Sequence, residues 1–199
     1  MAVDLLGLLH YSIGKMEKSE EIDIDLIKNI QLFENIQAQK TIFLNLFTEI
    51  ANQFPQSILI QAHKNSKGTK VSQGINLENC PYQVLDIFRD FDRNSGFNIR
   101  ILNWWGHGIY ILVQFGKNTV EKHLKYINVK FKRFHVGLAL DVFDYPEVFT
   151  SNHLLNSVNV NEHIEQFGHL LIFDKIAYNQ SIENLKFELL EKIKFILDK

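Results

Sequence analysis

The chain has 199 residues, of which 46% are hydrophobic, and its formal net charge at pH 7 is -2. A chain of this length is expected to fold as one domain and to bury about 70% of its unfolded surface, so it needs neither a disulfide nor a metal to fold. The low content of proline and glycine, 3 and 10 residues, excludes a low-complexity disordered chain. The slightly acidic charge argues against a protein held mainly by nucleic-acid phosphates.

The cellular location is predicted from the single cysteine and from the amino-terminal residues. A secreted protein of this size usually contains disulfides, and Cys80 has no second cysteine to pair with. Residues 2–13 are apolar, but Asp4 interrupts them and no basic residue precedes them, unlike a signal peptide. We therefore expect a cytoplasmic protein. The abundance of Ile, Asn, Lys and Phe is typical of an AT-rich bacterial or phage genome.

The first elements in chain order are a loosely attached segment and a long helix. Residues 1–20 combine a short apolar stretch with a polar loop. Apolar residues then recur at helical spacing and predict a helix over residues 23–54, which Pro55 ends. Unbroken, this helix would be roughly 45 Å long. We expect it either to break near residues 37–39 or to project and pack against a partner, such as a second copy of the chain.

A hairpin and a short helix are predicted next. Alternating apolar residues at 57–63 and the stretch 69–77 predict a hairpin over residues 57–77. Pro81 suits the first position of a helix, and the residues behind it predict one over 81–92. The inner face of that helix would consist of Val84, Leu85, Phe88 and Phe91, and Asp86, Arg89, Asp90 and Arg93 would face water.

The carboxyl-terminal half supplies the predicted centre of the fold. Two β-rich runs predict a hairpin over residues 98–115 that is covered on both faces. Further strands are predicted near 131–143 and 169–174, and a final helix near 181–197. Together these elements predict a single α+β domain over residues 1–199, with a mostly antiparallel mixed sheet covered by helices.

The turn of the 98–115 hairpin is the first candidate site. His107 lies between Gly106 and Gly108, which allow a ligand to approach the backbone closely, and Trp104 and Trp105 precede them. A histidine held out from the sheet in this way can act as an acid or a base near neutral pH. The alternative is that the glycines only form a tight turn and the tryptophans only pack in the core.

Three aspartates at predicted strand ends form the second candidate. Asp141, Asp144 and Asp174 converge if their strands are parallel neighbours, and converging carboxylates bind a divalent metal or act as an acid and base pair. His135 lies on the same predicted strand face as Asp141. In antiparallel strands the acids would lie at opposite ends of the sheet and would only form turns.

The irregular stretch 141–169 is a candidate recognition surface, because binding surfaces often lie on loops. Its predicted binding residues are Asp144, Tyr145, His153 and His163, together with Trp104 and Trp105. A zinc site is not favoured, since His163 and His169 lie six positions apart and no second cysteine is present. Basic residues at 117–133 lie near aromatic ones, so nucleic-acid binding is an alternative that is not favoured.

Two functions follow from these patterns. The first is an intracellular protein-binding or regulatory module of the accessory or immunity type, with a protein partner or a homodimer formed through residues 23–54. The alternative is a metal-dependent hydrolase or nuclease in which His107, His135 and Asp141 are catalytic. No phosphate-binding or nucleotide-binding motif is present, and no cofactor is predicted.

Overall fold

A computed structural model describes residues 21–198 of the chain. Within that range it contains seven α-helices and a six-stranded antiparallel sheet, which confirms the α+β prediction. The chain divides into two compact units, Met1–Ala38 and Gln39–Lys199. The predicted amino-terminal segment 1–20 lies outside the described residues, and the single domain stays a prediction.

The predicted helix over residues 23–54 is two helices, α1 (Ile24–Lys28) and α2 (Ile30–Ala51). The break lies at Asn29 and not near residues 37–39, where α2 is continuous. The side chain of Asn29 explains it, because this amide oxygen accepts a hydrogen bond from the backbone N–H of Leu32 at 3.0 Å and so caps a new helix. Asp23 caps α1 in the same way through the N–H of Leu26.

The sheet has the strand order β1-β2-β3-β4-β6-β5, and every neighbouring pair is antiparallel. Its strands are β1 (Lys70–Leu77), β2 (Cys80–Asp90), β3 (Phe97–Trp104), β4 (Gly108–Gly116), β5 (His135–Val136) and β6 (His169–Ile176). The predicted hairpin 98–115 is confirmed as β3 and β4, which lie at the centre of the sheet, and the predicted strand 169–174 is confirmed as β6.

The helix predicted over residues 81–92 is wrong, because this stretch forms strand β2. A strand that is buried on both faces has a nearly continuous apolar run, which resembles the stripe of a buried helix. A bulge between Asp86 and Phe88 places Ile87 and Phe88 in the same core and strengthens that resemblance. Asp86, expected to face water, is only 4% exposed.

The hairpin predicted over residues 57–77 is also wrong in its first half. Residues 57–62 lie in helix α3 (Gln56–Ala62), and His63 caps its end; within the helix Leu59 is buried, while Ile58 and Ile60 are exposed. The real partner of β1 is β2, across a two-residue turn at Glu78 and Asn79 that have φ values of 47° and 63°. Two consecutive positive φ angles match the twist of the flanking strands, so this turn sets the register.

The strand predicted over residues 131–143 is reduced to the two residues of β5. Helix α4 (Lys117–Lys130) comes directly before this stretch, and residues 137–144 leave the sheet. Gly137, the first of them, still donates from its backbone N–H to the carbonyl of Leu171 on β6 at 2.9 Å. Close packing leaves little room for a side chain there, since a Cβ would lie 3.1 Å from Val148 and 3.3 Å from Leu171. The remaining helices are α5 (Tyr145–Val148), α6 (Val160–Phe167) and α7 (Ile182–Leu197), the last of which confirms the helix predicted over 181–197.

The two faces of the sheet are covered differently. One face packs against helices and forms the larger core, whose biggest fully buried side chains are Phe47, Phe88 and Phe131. Burying each of these stabilises the fold by about 1.5–3 kcal/mol. The other face is covered by residues 139–149, which contribute Ala139, Tyr145 and Val148 to a second apolar cluster. None of the helices in the described part of the chain has the length and apolar character needed to cross a membrane.

Candidate functional site

The turn between β3 and β4 holds its histidine firmly. Gly106 and Gly108 have φ values of 80° and 138°, so both glycines are required by the turn geometry. The ring of His107 stacks on Trp104 with centroids 3.6 Å apart, and its carbonyl accepts a hydrogen bond from the hydroxyl of Tyr110. Trp105 donates from its indole nitrogen to Gln83 at 2.9 Å. The tryptophans therefore serve packing, and the imidazole of His107 lies against one of them.

The three predicted aspartates each have a separate partner. The carboxylate of Asp141 accepts from the backbone N–H of Phe143 at 2.9 Å, and Asp144 caps α5. Asp174 pairs with the Nζ of Lys192 at 2.6 Å. Among residues 21–198, no group of three or more His, Cys, Asp or Glu side chains is arranged to hold a metal ion. Strands β5 and β6 are antiparallel, and the carboxylates do not form the converging site that parallel strands would give.

The predicted recognition residues are partly buried. Trp104 and Tyr145 do come together, with ring centroids 6.5 Å apart, but inside the second apolar cluster. His163 on α6 is buried as well, whereas Asp144 and His153 are exposed. The ring of His135 stacks on Phe173 at 5.2 Å, and its Nδ1 is buried. Half of the six predicted recognition residues, Trp104, Tyr145 and His163, are therefore part of the folded core and not of a surface.

The basic stretch 117–133 forms α4 and the turn after it. Of its aromatic residues, Phe131 and nearby Phe134 are buried, so neither ring is free to stack on a nucleobase. Tyr126 is 40% exposed and donates a hydrogen bond to the carbonyl of Asp198. These positions do not support nucleic-acid binding.

A buried arginine lies on the second face of the sheet, where the sequence had suggested none. Arg100 on β3 donates from Nε and Nη2 to the two carboxylate oxygens of Asp86, at 2.7 and 3.0 Å, and from Nη1 to the hydroxyl of Tyr145 at 2.5 Å. Its guanidinium lies 5.4 Å from the ring of Phe91 and 5.0 Å from that of Phe143. Burial by itself lowers the pKa of Arg100, but the hydrogen bond and charge of Asp86 raise it above its ordinary value. The charge is therefore fixed.

A second feature that the sequence did not reveal is a His and Asp pair beside a cavity. The Nε2 of His63 lies 2.6 Å from the Oδ2 of Asp90, and both side chains are largely buried. His63 also lines an apolar cavity of about 420 Å³ between the sheet, α4 and the end of α7. The wrong prediction of a helix over 81–92 had placed Asp90 on a solvated surface, so no pattern connected it with a histidine 27 positions away.

The third feature is an exposed apolar surface in the first unit. It consists of six large apolar side chains that lie just before α1, in α1 and at the start of α2. Each of them is between 49% and 72% exposed. They are Ile22, Ile24, Leu26, Ile27, Ile30 and Phe33. We refer to these six residues as the N-terminal apolar surface. Single exposed apolar residues are common, but six of them within residues 22–33 are a candidate interaction site.

Comparisons with protein-family models, with curated proteins and with solved structures found no match for this chain.

Proposed function

We propose that the protein is an interaction module that docks on another protein through the N-terminal apolar surface. The exposure of these six side chains carries the proposal. Taken together they expose on the order of 600–700 Å² of apolar area, which approaches the roughly 800 Å² that each partner contributes to a standard interface. Such a surface is costly in water unless a partner covers it.

The charges around this surface favour one class of partner. Residues 21–34 contain four acids, Glu21, Asp23, Asp25 and Glu34, and a single base, Lys28. An apolar segment with an acidic border fits an apolar groove with a basic rim on another protein. Two antiparallel copies of this segment would place acids near acids, so a homodimer through this surface is disfavoured. Anionic membranes are disfavoured for the same reason.

Photocrosslinking in the native cell tests this proposal. A photoreactive amino acid replaces Ile30 in one full-length variant and Ile75 in the other, since these two isoleucines are 72% and 73% exposed and lie in different units. We expect Ile30, and not Ile75, to give a crosslink to one specific protein. That protein is then purified and titrated with the full chain.

The titration supplies the quantitative criteria. Replacing Ile27 and Ile30 by Glu is expected to weaken binding at least tenfold, which corresponds to about 1.4 kcal/mol, while Ile75→Glu leaves the affinity unchanged. Association should also slow with added salt and with Asp25→Lys, because a basic rim attracts the acidic border. A crosslink to a second copy of the chain or to residues 1–20, or equal crosslinking from Ile75, would refute the proposal.

A further inference from the structure

The cavity beside His63 has the walls of a small-molecule site. Its volume of about 420 Å³ lies within the range of roughly 300–1,000 Å³ typical of ligand pockets. Three phenylalanine rings and one tyrosine ring line it, contributed by β3, β4, the start of the turn after α4, and α4 itself. These residues are Phe97, Phe115, Phe131 and Tyr126. A wall of this kind suits a flat aromatic ligand, because ring pairs gain about 0.5–1.5 kcal/mol beyond the burial of their area.

Fixed contacts hold the walls in place without a ligand. The rings of Phe97 and Phe115 lie 5.4 Å apart, and those of Phe115 and Phe131 lie 5.7 Å apart. The hydroxyl of Tyr126 donates to the carbonyl of Asp198 at 2.5 Å and so ties α4 to the end of α7. The cavity is therefore largely preformed, and a ligand need not order these side chains on binding.

The polar side-chain groups of the cavity are two imidazoles and two hydroxyls, one of which is the Tyr126 hydroxyl already bonded to Asp198. His63 and His123 both line it, as does Thr119. Helix α4 kinks at His123, where φ is -120° and ψ is 17°, so the regular helix is interrupted at the cavity wall. A ligand in this cavity would meet mostly apolar surface with a few polar groups, which is the usual composition of a binding site for a small organic molecule.

The pairing of His63 with Asp90 determines which ligand group fits. Because the carboxylate of Asp90 accepts from Nε2, the proton of a neutral imidazole resides on Nε2 and Nδ1 is left as an acceptor. In the described part of the chain Nδ1 has no hydrogen-bond partner. The nearby carboxylate also repels a ligand that carries its own negative charge. An uncharged donor such as a hydroxyl group meets both conditions.

We propose that this cavity binds a small phenol, with its aromatic ring packed against the wall that Phe97, Phe115 and Tyr126 form and its hydroxyl donating to Nδ1 of His63. This site is separate from the N-terminal apolar surface, and each of the two proposals can fail without the other. The ligand's ring supplies the burial, and its hydroxyl supplies the selectivity.

To test the proposal, three naphthalene probes are titrated into the full chain, and their binding is measured by intrinsic fluorescence and by calorimetry. The probes are 2-naphthol, 2-methylnaphthalene and 2-naphthoate, which share a ring system and differ in the donor and in the charge. We expect 2-naphthol to bind about fivefold more tightly than 2-methylnaphthalene, the factor that one hydrogen bond of typical net strength gives. The carboxylate of 2-naphthoate should weaken binding further.

Variants of the lining residues test whether the preference for 2-naphthol arises in this cavity. His63→Leu is expected to abolish the advantage of 2-naphthol over 2-methylnaphthalene while both still bind. Thr119→Phe fills the cavity and should weaken all three probes, and it keeps the test decisive if His63→Leu lowers stability. His107→Ala lies at the opposite end of the β3 and β4 hairpin and serves as the control. Equal affinity for the three probes, no binding of 2-naphthol, or binding that Thr119→Phe leaves unchanged would overturn the proposal.

Discussion

Acidification should destabilise this protein through His163. This residue on α6 is only 4% exposed, and its Nε2 has no hydrogen-bond partner among the described residues. Burial, followed by the charge of His169, lowers the pKa of His163 from 6.5 to about 4. The folded state therefore holds this imidazole neutral in a pH range where the unfolded chain takes up a proton.

The sign and size of the effect follow from this difference. Above pH 6.5 the histidine is neutral in both states, so the full stability is present; below it the unfolded state binds the proton first, and stability falls until the pH reaches the folded pKa of about 4. Each unit of difference corresponds to 1.36 kcal/mol, so His163 accounts for a loss of about 3 kcal/mol across this window. That is a large fraction of the 5–15 kcal/mol typical of a folded domain.

Urea unfolding between pH 7.5 and 4 measures this loss. The variant His163→Leu should lose about 3 kcal/mol less than the unmodified chain on acidification. In the difference between the two proteins, the contribution of the carboxylates to the loss of stability cancels, because they titrate in both. The variant His153→Leu is the matched control, because His153 is exposed. An unchanged acid sensitivity of His163→Leu, or an NMR titration of the His163 ring with a midpoint near 6.5, would refute the reasoning.

Three further predictions concern stability measured by urea unfolding at neutral pH. Arg100→Met alone should cost about 3–5 kcal/mol, because it leaves the Asp86 carboxylate buried and unpaired, and adding Asp86→Leu should restore much of that loss; a double variant no more stable than the single one contradicts this. Phe88→Ala should cost about 3–5 kcal/mol, against less than 0.5 kcal/mol for the exposed Ile75→Ala. Gly168→Ala should cost about 1 kcal/mol through backbone strain alone, since φ is 73° and no atom lies within 4 Å of the added Cβ; an unchanged midpoint would contradict that.

The sequence predicted those elements in which local pattern and burial agree. The hairpin of β3 and β4 follows from two apolar runs around a glycine-containing turn, and α7 follows from an apolar stripe behind the capping Ser181. Strand β2 was predicted as a helix because its burial on both faces removes the alternation that identifies a strand. The register of β1 depends on positive φ angles at Glu78 and Asn79, a feature that a glutamate gives no reason to expect.

The candidate sites were harder to predict, since they depend on contacts between distant residues. His107 and the three aspartates were predicted from the residues next to them in the sequence. Neighbours in the sequence say little about which side chains contact each other in the fold. The pairs that do meet are separated by 27 positions for His63 and Asp90 and by 45 for Arg100 and Tyr145. These pairs can be identified only when the strand order is known. Because residues 81–92 were predicted as a helix, the contacts of Asp86 and Asp90 could not be predicted.

The Arg100 cluster explains how a segment with little regular structure can cover one face of the sheet. The cover over this face, residues 139–149, contains only the single turn of α5 and has no long helical stripe to interlock with the strands. Arg100 instead binds Asp86 on β2, contacts the ring of Phe143 and donates to Tyr145, so one side chain connects two strands to two points of the cover. A buried ion pair adds little net stability over an apolar pair of similar volume. The ion pair therefore serves to position the cover. The planar guanidinium of Arg100 is compatible with one arrangement of Tyr145 and Phe143, whereas apolar side chains would be compatible with several.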